Sequence, residues 1–442
     1  MSSPSFCLPF LLFLTLSIVA KADVPSSKTF KYVLQGEFGD YITEYDASYR
    51  IINIPNFRTA STPFQLFFYN TTPHAYTLGL RLGRPRYESQ LRWVWDANRG
   101  NPVRENSTLT FGADGNLVLR NVDGKIAWQT DTKNKGVVDI ELLPTGNLVL
   151  MDKNRRFVWQ SFDYPGDTLL MGAGLRPGGV NKLVSRVSDA DGSEGPYSLV
   201  LEKDRLALYL KSKNSPKPLL YYAKDLGSSG LPINRVAFKV EPLTDDAFEY
   251  EIAFEVFAGN SSYIQRIGRP TKFNSTLSLL RVGSDGSLKV HSFYDRVELG
   301  GWEVTYSEFD RDDIYGGTEC RLPTRCGSLG VCEDDQCVAC PTPKGLSAYN
   351  KKCAPPKLPS CKGGSQVVDY YKVVGVEHFT YEYTQGDGPT KLADCRAKCS
   401  MDCGCLGFFY REESSKCLLA PELGTFTKVA NKSHVAYIKM SK

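Results

Sequence analysis

Two carboxylates, Asp163 and Asp167, flank Pro165-Gly166 in the segment Trp159-Gln-Ser-Phe-Asp-Tyr-Pro-Gly-Asp-Thr-Leu-Leu170. Glycoside hydrolysis needs such a pair, one as acid and one as base or nucleophile. Aspartates around a Pro-Gly turn have a simpler use as backbone acceptors within the turn. That use is expected here, and no catalytic residue is assigned. The four histidines, His74, His291, His378 and His434, are scattered and suggest no general base. No G-x-S-x-G, H-E-x-x-H, P-loop or dinucleotide fingerprint occurs. Cys337-x-x-Cys340 could open a zinc site, and Asp310-Arg-Asp-Asp313 could suggest calcium. The first is expected to be oxidised and the second solvated, so neither metal nor cofactor is expected.

The cysteines set the compartment. Of 13, Cys7 lies in the apolar stretch Phe6–Ala20, and the other twelve all fall at or after position 320. That stretch is shorter than the ~20 residues a membrane span needs. With small residues at Ala20 and Ala22 it reads as a signal peptide over 1–22, cleaved before Asp23. No later run is apolar enough to span a membrane, so a secreted, extracellular protein is expected. Clustered, even-numbered cysteines in such a chain read as disulfide-stapled modules. Cys320, Cys326, Cys332, Cys337, Cys340 and Cys353 form one group of six, for which fifteen pairings are open. Sequons at Asn70, Asn106, Asn260, Asn274 and Asn431 add expected N-glycans.

The elements that carry these residues are mainly strands. The chain has 442 residues, of which 42% are hydrophobic and 12% aromatic, enough for several cores. A net charge of +4 with both signs interspersed gives no field for nucleic acid. Gly115-Asn-Leu-Val-Leu119 recurs as Gly146-Asn-Leu-Val-Leu150, and Trp128-Gln-Thr130 recurs as Trp159-Gln-Ser161, both 31 residues on. Trp95-Asp-Ala-Asn98 is a weaker third copy of the tryptophan corner. Each unit reads as a hairpin that cannot bury its own apolar face. Three of them around a pseudo-threefold axis would share a tryptophan core. Strand–Asp-Gly–strand patterns continue to Trp302. Pro389–Ser400 reads as a helix that puts Cys395 and Cys399 on one face.

Trp95–Val103, Asp114–Leu119, Trp159–Leu170 and the spacing Cys395-x3-Cys399-x3-Cys403-x-Cys405-x11-Cys417 together resemble plant S-domain-type ectodomains. The chain most resembles the secreted curculin-like (mannose-binding) bulb-type lectin glycoproteins, which include the epidermis-secreted glycoproteins. The resemblance implies a mainly β fold: tandem β-prism II domains, a disulfide-rich EGF-like module and a small α+β PAN/apple domain. The expected divisions are 1–22 signal peptide, 23–180 lectin domain, 181–315 second prism, 316–358 EGF-like module and 359–442 PAN/apple. It implies the pairs Cys395–Cys417 and Cys399–Cys405, leaving Cys361 for Cys403. It also implies a non-enzymatic protein in the extracellular space or cell wall. The expected partners are glycans or cell-wall polysaccharides, and an extracellular protein through the PAN/apple domain.

The family's mannose strand reads Q-x-D-x-N-x-V-x-Y. Laid on this chain it gives Gly112, Asp114, Asn116, Val118 and Arg120, with Asp, Asn and Val kept. A second alignment keeps only Asn147 and Val149; a third, on Gly283, Asp285, Ser287 and Lys289, keeps only Asp285. The expected sugar-binding residues are therefore Asp114, Asn116, Val118, Arg120, Asn147 and Val149. Arg120 would favour an acidic sugar through a bidentate carboxylate contact.

Overall fold

The computed structural model describes residues 23–36, 39–42, 47–54, 62–72, 74–83, 92–227, 231–243, 250–268, 277–294, 301–310, 317–361 and 368–442. The expected signal peptide and the sequon at Asn274 lie outside them. Among the described residues no helix is long and apolar enough to cross a membrane.

Three antiparallel sheets build the first prism. One holds Phe30–Val33, Thr108–Phe111, Leu117–Arg120 and Ile126–Gln129; another holds Val137–Leu142, Leu148–Asp152 and Phe157–Gln160. The third holds Gly39–Ile42, Ala47–Ile51, Phe64–Thr72, Ala75–Leu82 and Arg92–Asp96. Each sheet sends one tryptophan to the axis. Trp95, Trp128 and Trp159 meet edge to face, with centroids 5.8–6.1 Å apart and planes at 71–76°. This is the geometry that aromatic quadrupoles prefer, worth ~0.5–1.5 kcal/mol per pair beyond area burial. Leucines of the repeated N-L-V-L strands, Leu117, Leu119, Leu148 and Leu150, are fully buried around them.

The repeat also fixes its own turns. In the first copy Gly115 N–H donates to the Gly112 carbonyl and Gly112 N–H to that of Asn116; Gly146 and Leu143 do the same around Asn147. Gly283–Ser287 repeats the pattern in the second prism. Gly146 sits at φ +83°, and a Cβ there would lie 2.5 Å from Phe64 Cε1 and 2.7 Å from Leu170 Cδ1. Gly124, at φ +82°, faces open space. Gly124→Ala is thus expected to cost only the left-handed backbone penalty of ~1–2 kcal/mol. Gly146→Ala should cost ~1–3 kcal/mol more, because Phe64 and Leu170 must shift. Equal midpoints for the two variants in denaturant unfolding would refute this difference.

The second prism again has three sheets, and the chain deals one strand to each before filling them in reverse order. Thr168–Leu170, Gly174–Leu175 and Lys182–Arg186 each open a sheet. Glu194–Asp225 then completes the third, Ile233–Arg266 the second and Ser278–Ser307 the first. The expected boundary at 180/181 therefore falls inside this prism, two of whose strands precede it. The prisms also share apolar contacts: Leu277, Leu279 and Phe293 join the first core.

The six C-terminal disulfides join Cys320 to Cys332, Cys326 to Cys337, Cys340 to Cys353, Cys361 to Cys403, Cys395 to Cys417 and Cys399 to Cys405. No pair crosses between the two cysteine groups. The backbone does cross. Leu329–Glu333 pairs in parallel with Gly424–Lys428, so one five-stranded sheet spans the expected division at 358/359. The helix is Leu392–Met401, with Cys395 and Cys399 fully buried on its inner face. The ammonium of buried Lys439 donates to the carbonyls of Cys399, Asp402 and Cys405 at 2.9–3.1 Å, satisfying acceptors at the helix C-terminus. The unit packs on the second prism through Phe309, Leu322 and Phe379, and Glu422 accepts from Ser212 Oγ at 2.8 Å.

Candidate functional site

On Leu117–Arg120 the side chains alternate. Leu117 and Leu119 point into the core, while Val118 is half-buried and Arg120 exposed. Asp114, half-buried in the preceding turn, lies on the same outer side. Its Oδ1 accepts from Asn116 N–H at 3.2 Å, and its Oδ2 faces Lys133 Nζ at 4.0 Å. Arg120 donates to the Gly124 carbonyl at 3.2 Å.

Asn116 does something else. Its Nδ2 donates to Gln129 Oε1 at 3.1 Å, and its Oδ1 accepts from Thr130 Oγ1 and Thr132 N–H, both at 3.1 Å. Asn147, 31 residues on, makes the equivalent set with Gln160 at 2.8 Å, Ser161 at 3.2 Å and Phe162 N–H at 3.3 Å. Both asparagines are buried, and Val149 has no exposed surface. Asn116 and Asn147 clamp the hairpin to the W-Q-T/S corner. Val149 is buried beneath the same hairpin. The structure leaves Asp114, Val118 and Arg120 on an accessible face.

The Asp163/Asp167 pair is neither a hydrolytic dyad nor a set of turn caps. Asp163 pairs with Arg176 at 2.8 Å. Asp167 is buried and accepts from Arg186 Nε at 3.0 Å and from Thr168 Oγ1 at 2.8 Å. Burial alone would raise its pKa; Arg186, then Arg281 and Arg99, outweigh that and hold it at about 2. Arg186 also reaches Asp96 Oδ2 at 2.6 Å and Tyr69 Oη at 3.1 Å, and lies 5.1 Å over the Trp93 ring. Arg99 donates to the carbonyls of Gly192, Val184 and Ser185 at 2.6–2.9 Å. The W-D-A-N-R and F-D-Y-P-G-D motifs thus tie one prism to the other. Nothing in local spacing signalled this, because the partners lie up to 93 residues apart.

Two clefts open along that junction. One, of about 380 Å³, is lined by Tyr69, Thr77, Arg99 and the segment 190–193. The other, of about 430 Å³, is lined by Arg92, Arg186, Arg281, Lys289 and His291 together with Asp167, Asp189, Asp285, Ser284 and Ser287. Among the described residues no cluster of three or more His, Cys, Asp or Glu is arranged to hold a metal. Of the sequons, Asn106, Asn260 and Asn431 are exposed and Asn70 is half-buried.

Residues 92–187 match the D-mannose binding lectin family. EP1-like glycoprotein 2 of Arabidopsis thaliana is 49% identical over 447 residues, covering 96% of this chain and 96% of that protein. The epidermis-specific secreted glycoprotein EP1 of Daucus carota is 45% identical over 387 residues, covering 83% of this chain and 98% of that protein. A G-type lectin S-receptor-like serine/threonine-protein kinase of Arabidopsis thaliana is 26% identical; the match covers 80% of this chain and 41% of that protein.

Proposed function

The chain belongs to the EP1-like glycoproteins of plants, and on that premise we propose that it is a secreted, non-enzymatic, lectin-like glycoprotein that binds glycans of the cell wall. The observation that carries this reading is the outer face of Leu117–Arg120. There Asp114, four residues before Val118, and Arg120, two residues after it, have accessible surface at the strand that the family's mannose motif matches. An Asp carboxylate and an Arg guanidinium offer hydrogen bonds to hydroxyls, and a valine offers an apolar ring contact. Shallow sites of this kind rest on a few directed bonds, ~1.5–3 kcal/mol each where one partner is charged. Asn116 supports the strand from beneath through its turn clamp.

A glycan array probed with the full-length protein tests this. Binding to at least one class of cell-wall saccharide is expected. Asp114→Ala and Arg120→Ala should each weaken it about tenfold, as loss of one charge-assisted bond implies. A silent array would overturn the reading and leave a protein-binding role through the C-terminal unit as the one to pursue.

A further inference from the structure

The last strand of the sheet that joins the two cysteine groups, Gly345–Ala348, is exposed along its whole length and pairs on one side only, with Gln336–Thr342. Residues 336–368 around it carry Lys344, Lys351, Lys352, Lys357 and Lys362 and no Asp or Glu, whereas Asp and Glu make up 49 of the 442 residues of the chain. Lys362 lies outside the described residues. The other four lysines are exposed, and among the described residues none of them is ion-paired. Exposed lysines elsewhere do pair: Lys28 with Asp139 at 3.1 Å, Lys372 with Glu412 at 3.5 Å and Lys428 with Glu333 at 2.8 Å. Neighbouring carboxylates are taken or distant. Glu333 is held by Lys428 and Asp369 by Arg396 at 2.8 Å, while Asp334 and Asp335 stand at the far end of Gln336–Thr342 from Lys344.

Backbone pairing and a disulfide hold these lysines together. Ser347 stands opposite Cys340 in the strand pairing, and the Cys340–Cys353 bond brings the Lys351-Lys352 turn back to the same point, with Cα atoms 5.6 Å apart. Lys344 is three residues from Ser347 and Lys357 four from Cys353. At no more than ~3.6 Å per residue, all four lie within roughly 20 Å of Cys340. Pro343, Pro355 and Pro356 fix φ beside them, so the chain has less freedom to lose when a ligand settles. Like charges this close, with a Debye length of ~8–10 Å and no counter-charge in the protein, make a positive strip that attracts polyanions.

We propose that this lysine strip binds an extended extracellular polyuronate, with the ammonium groups on its carboxylates and the open strand edge on its ring hydroxyls. Point charges spread over such a length are too far apart for one compact anion and suit a polymer with a carboxylate on every unit. The free edge of Gly345–Ala348 offers backbone N–H and C=O groups. Leu346, 54% exposed, offers a ring an apolar contact. An edge of four residues turns too few backbone groups outward to hold an added peptide strand, which weighs against an acidic peptide. The strip lies on the C-terminal unit, apart from the strand Leu117–Arg120. It rests on the proposed function only for the extracellular setting, so either can fail without the other.

Calorimetry on the full-length protein tests it, with a long oligogalacturonate, its fully methyl-esterified form and polyglutamate as probes. The oligogalacturonate should bind, and its affinity should fall at least tenfold between about 0.05 and 0.3 M salt as the charges are screened. The ester should bind at least tenfold more weakly and polyglutamate several-fold more weakly. The combined variant Lys344→Gln, Lys351→Gln, Lys352→Gln and Lys357→Gln changes only exposed side chains; it should keep the parent's unfolding midpoint and lose at least tenfold in affinity. Changing the exposed prism lysines Lys153, Lys182, Lys203 and Lys211 to Gln removes the same charge and should leave that affinity within twofold. Equal losses in the two variants would trace binding to net charge and overturn the strip. Salt-independent binding by the parent, or an ester that binds as tightly as the acid, would overturn it whatever the variants do. Polyglutamate binding as tight as oligogalacturonate would overturn the saccharide assignment in favour of an acidic peptide. No oligogalacturonate binding would overturn the strip alone. A glycan array on which only polyuronates bind, and through these lysines, would overturn the proposed role of the first prism and leave the strip standing.

Discussion

Arg186→Met should destabilise the protein by ~3–5 kcal/mol, the cost of breaking a buried ion pair by removing one partner. Arg186 stands between Asp96 of the first prism and Asp167 at the entrance to the second, and all three side chains are at most 7% exposed. Methionine matches the volume but leaves two carboxylates facing each other across an apolar gap, beside the Tyr69–Trp93 stack at 4.0 Å. The loss would come from that uncompensated charge, so it should be recoverable. Adding Asp96→Asn and Asp167→Asn to Arg186→Met should restore more than half of the deficit, since a neutral buried set of similar shape often matches the ion pair it replaces. Denaturant unfolding of the parent, the single variant and the triple variant reads this directly. A single variant that unfolds like the parent would show that the cluster contributes nothing net, and an unrescued triple variant would assign the loss to packing instead.

The same cluster accounts for two of the most recognisable motifs, W-D-A-N-R and F-D-Y-P-G-D. Trp95 donates its indole N–H to the Tyr164 carbonyl at 2.9 Å, Arg99 spans to the turn at 184–192, and Asp167 receives Arg186. Asp96, Arg99 and Asp167 thus serve the join between prisms. Both clefts of the junction are lined by these same residues, Arg99 in one and Asp167 with Arg186 in the other. The geometry of any ligand held there depends on how rigidly the prisms are fixed.

The sequence carried what is periodic. The 31-residue repeat puts each tryptophan at the same point of its hairpin, so a shared core follows from spacing alone. The disulfide clusters are likewise readable as two groups, because cysteine spacing is local. Features built from single residues far apart were not readable. Arg186 meets Asp96 across 90 positions, and Leu329–Glu333 pairs with Gly424–Lys428 from the other end of the C-terminal unit. The clamp made by Asn116 and Asn147 was hidden for a related reason. An asparagine after Gly in an N-L-V-L strand matches both a sugar ligand and a turn clamp, and only the positions of Gln129 and Gln160 decide between them. The division near 180 failed because Thr168–Leu170 and Gly174–Leu175 are too short to stand out as strands before their distant partners are known.

Acid should weaken the fold well before carboxylates begin to protonate. His378 is 1% exposed, with Nδ1 2.7 Å from Thr380 Oγ1, Nε2 2.9 Å from the Glu422 carbonyl and the Phe379 ring 4.0 Å away. A carbonyl only accepts, so Nε2 carries the proton and the neutral ring is fully satisfied. Burial lowers its pKa, which the Glu422 carbonyl only partly offsets, leaving it at about 4. His291 lies at about 3. Both values are depressed below the ~6.5 of an unfolded histidine. Between pH 6.5 and those values the unfolded chain binds protons that the folded chain refuses. Stability is therefore complete above pH 6.5 and falls as pH drops. At ~1.4 kcal/mol per pH unit per proton, going from pH 6.5 to 4.5 should cost about 2–3 kcal/mol for each histidine. His378→Gln keeps a donor for the Glu422 carbonyl and cannot ionise, so it should remove one of the two proton equivalents from the slope. Denaturant unfolding at pH 7.5, 6.0 and 4.5 measures both numbers. Equal stability of the parent protein across that range, or a slope unchanged by His378→Gln, would show that these imidazoles protonate within the fold without cost.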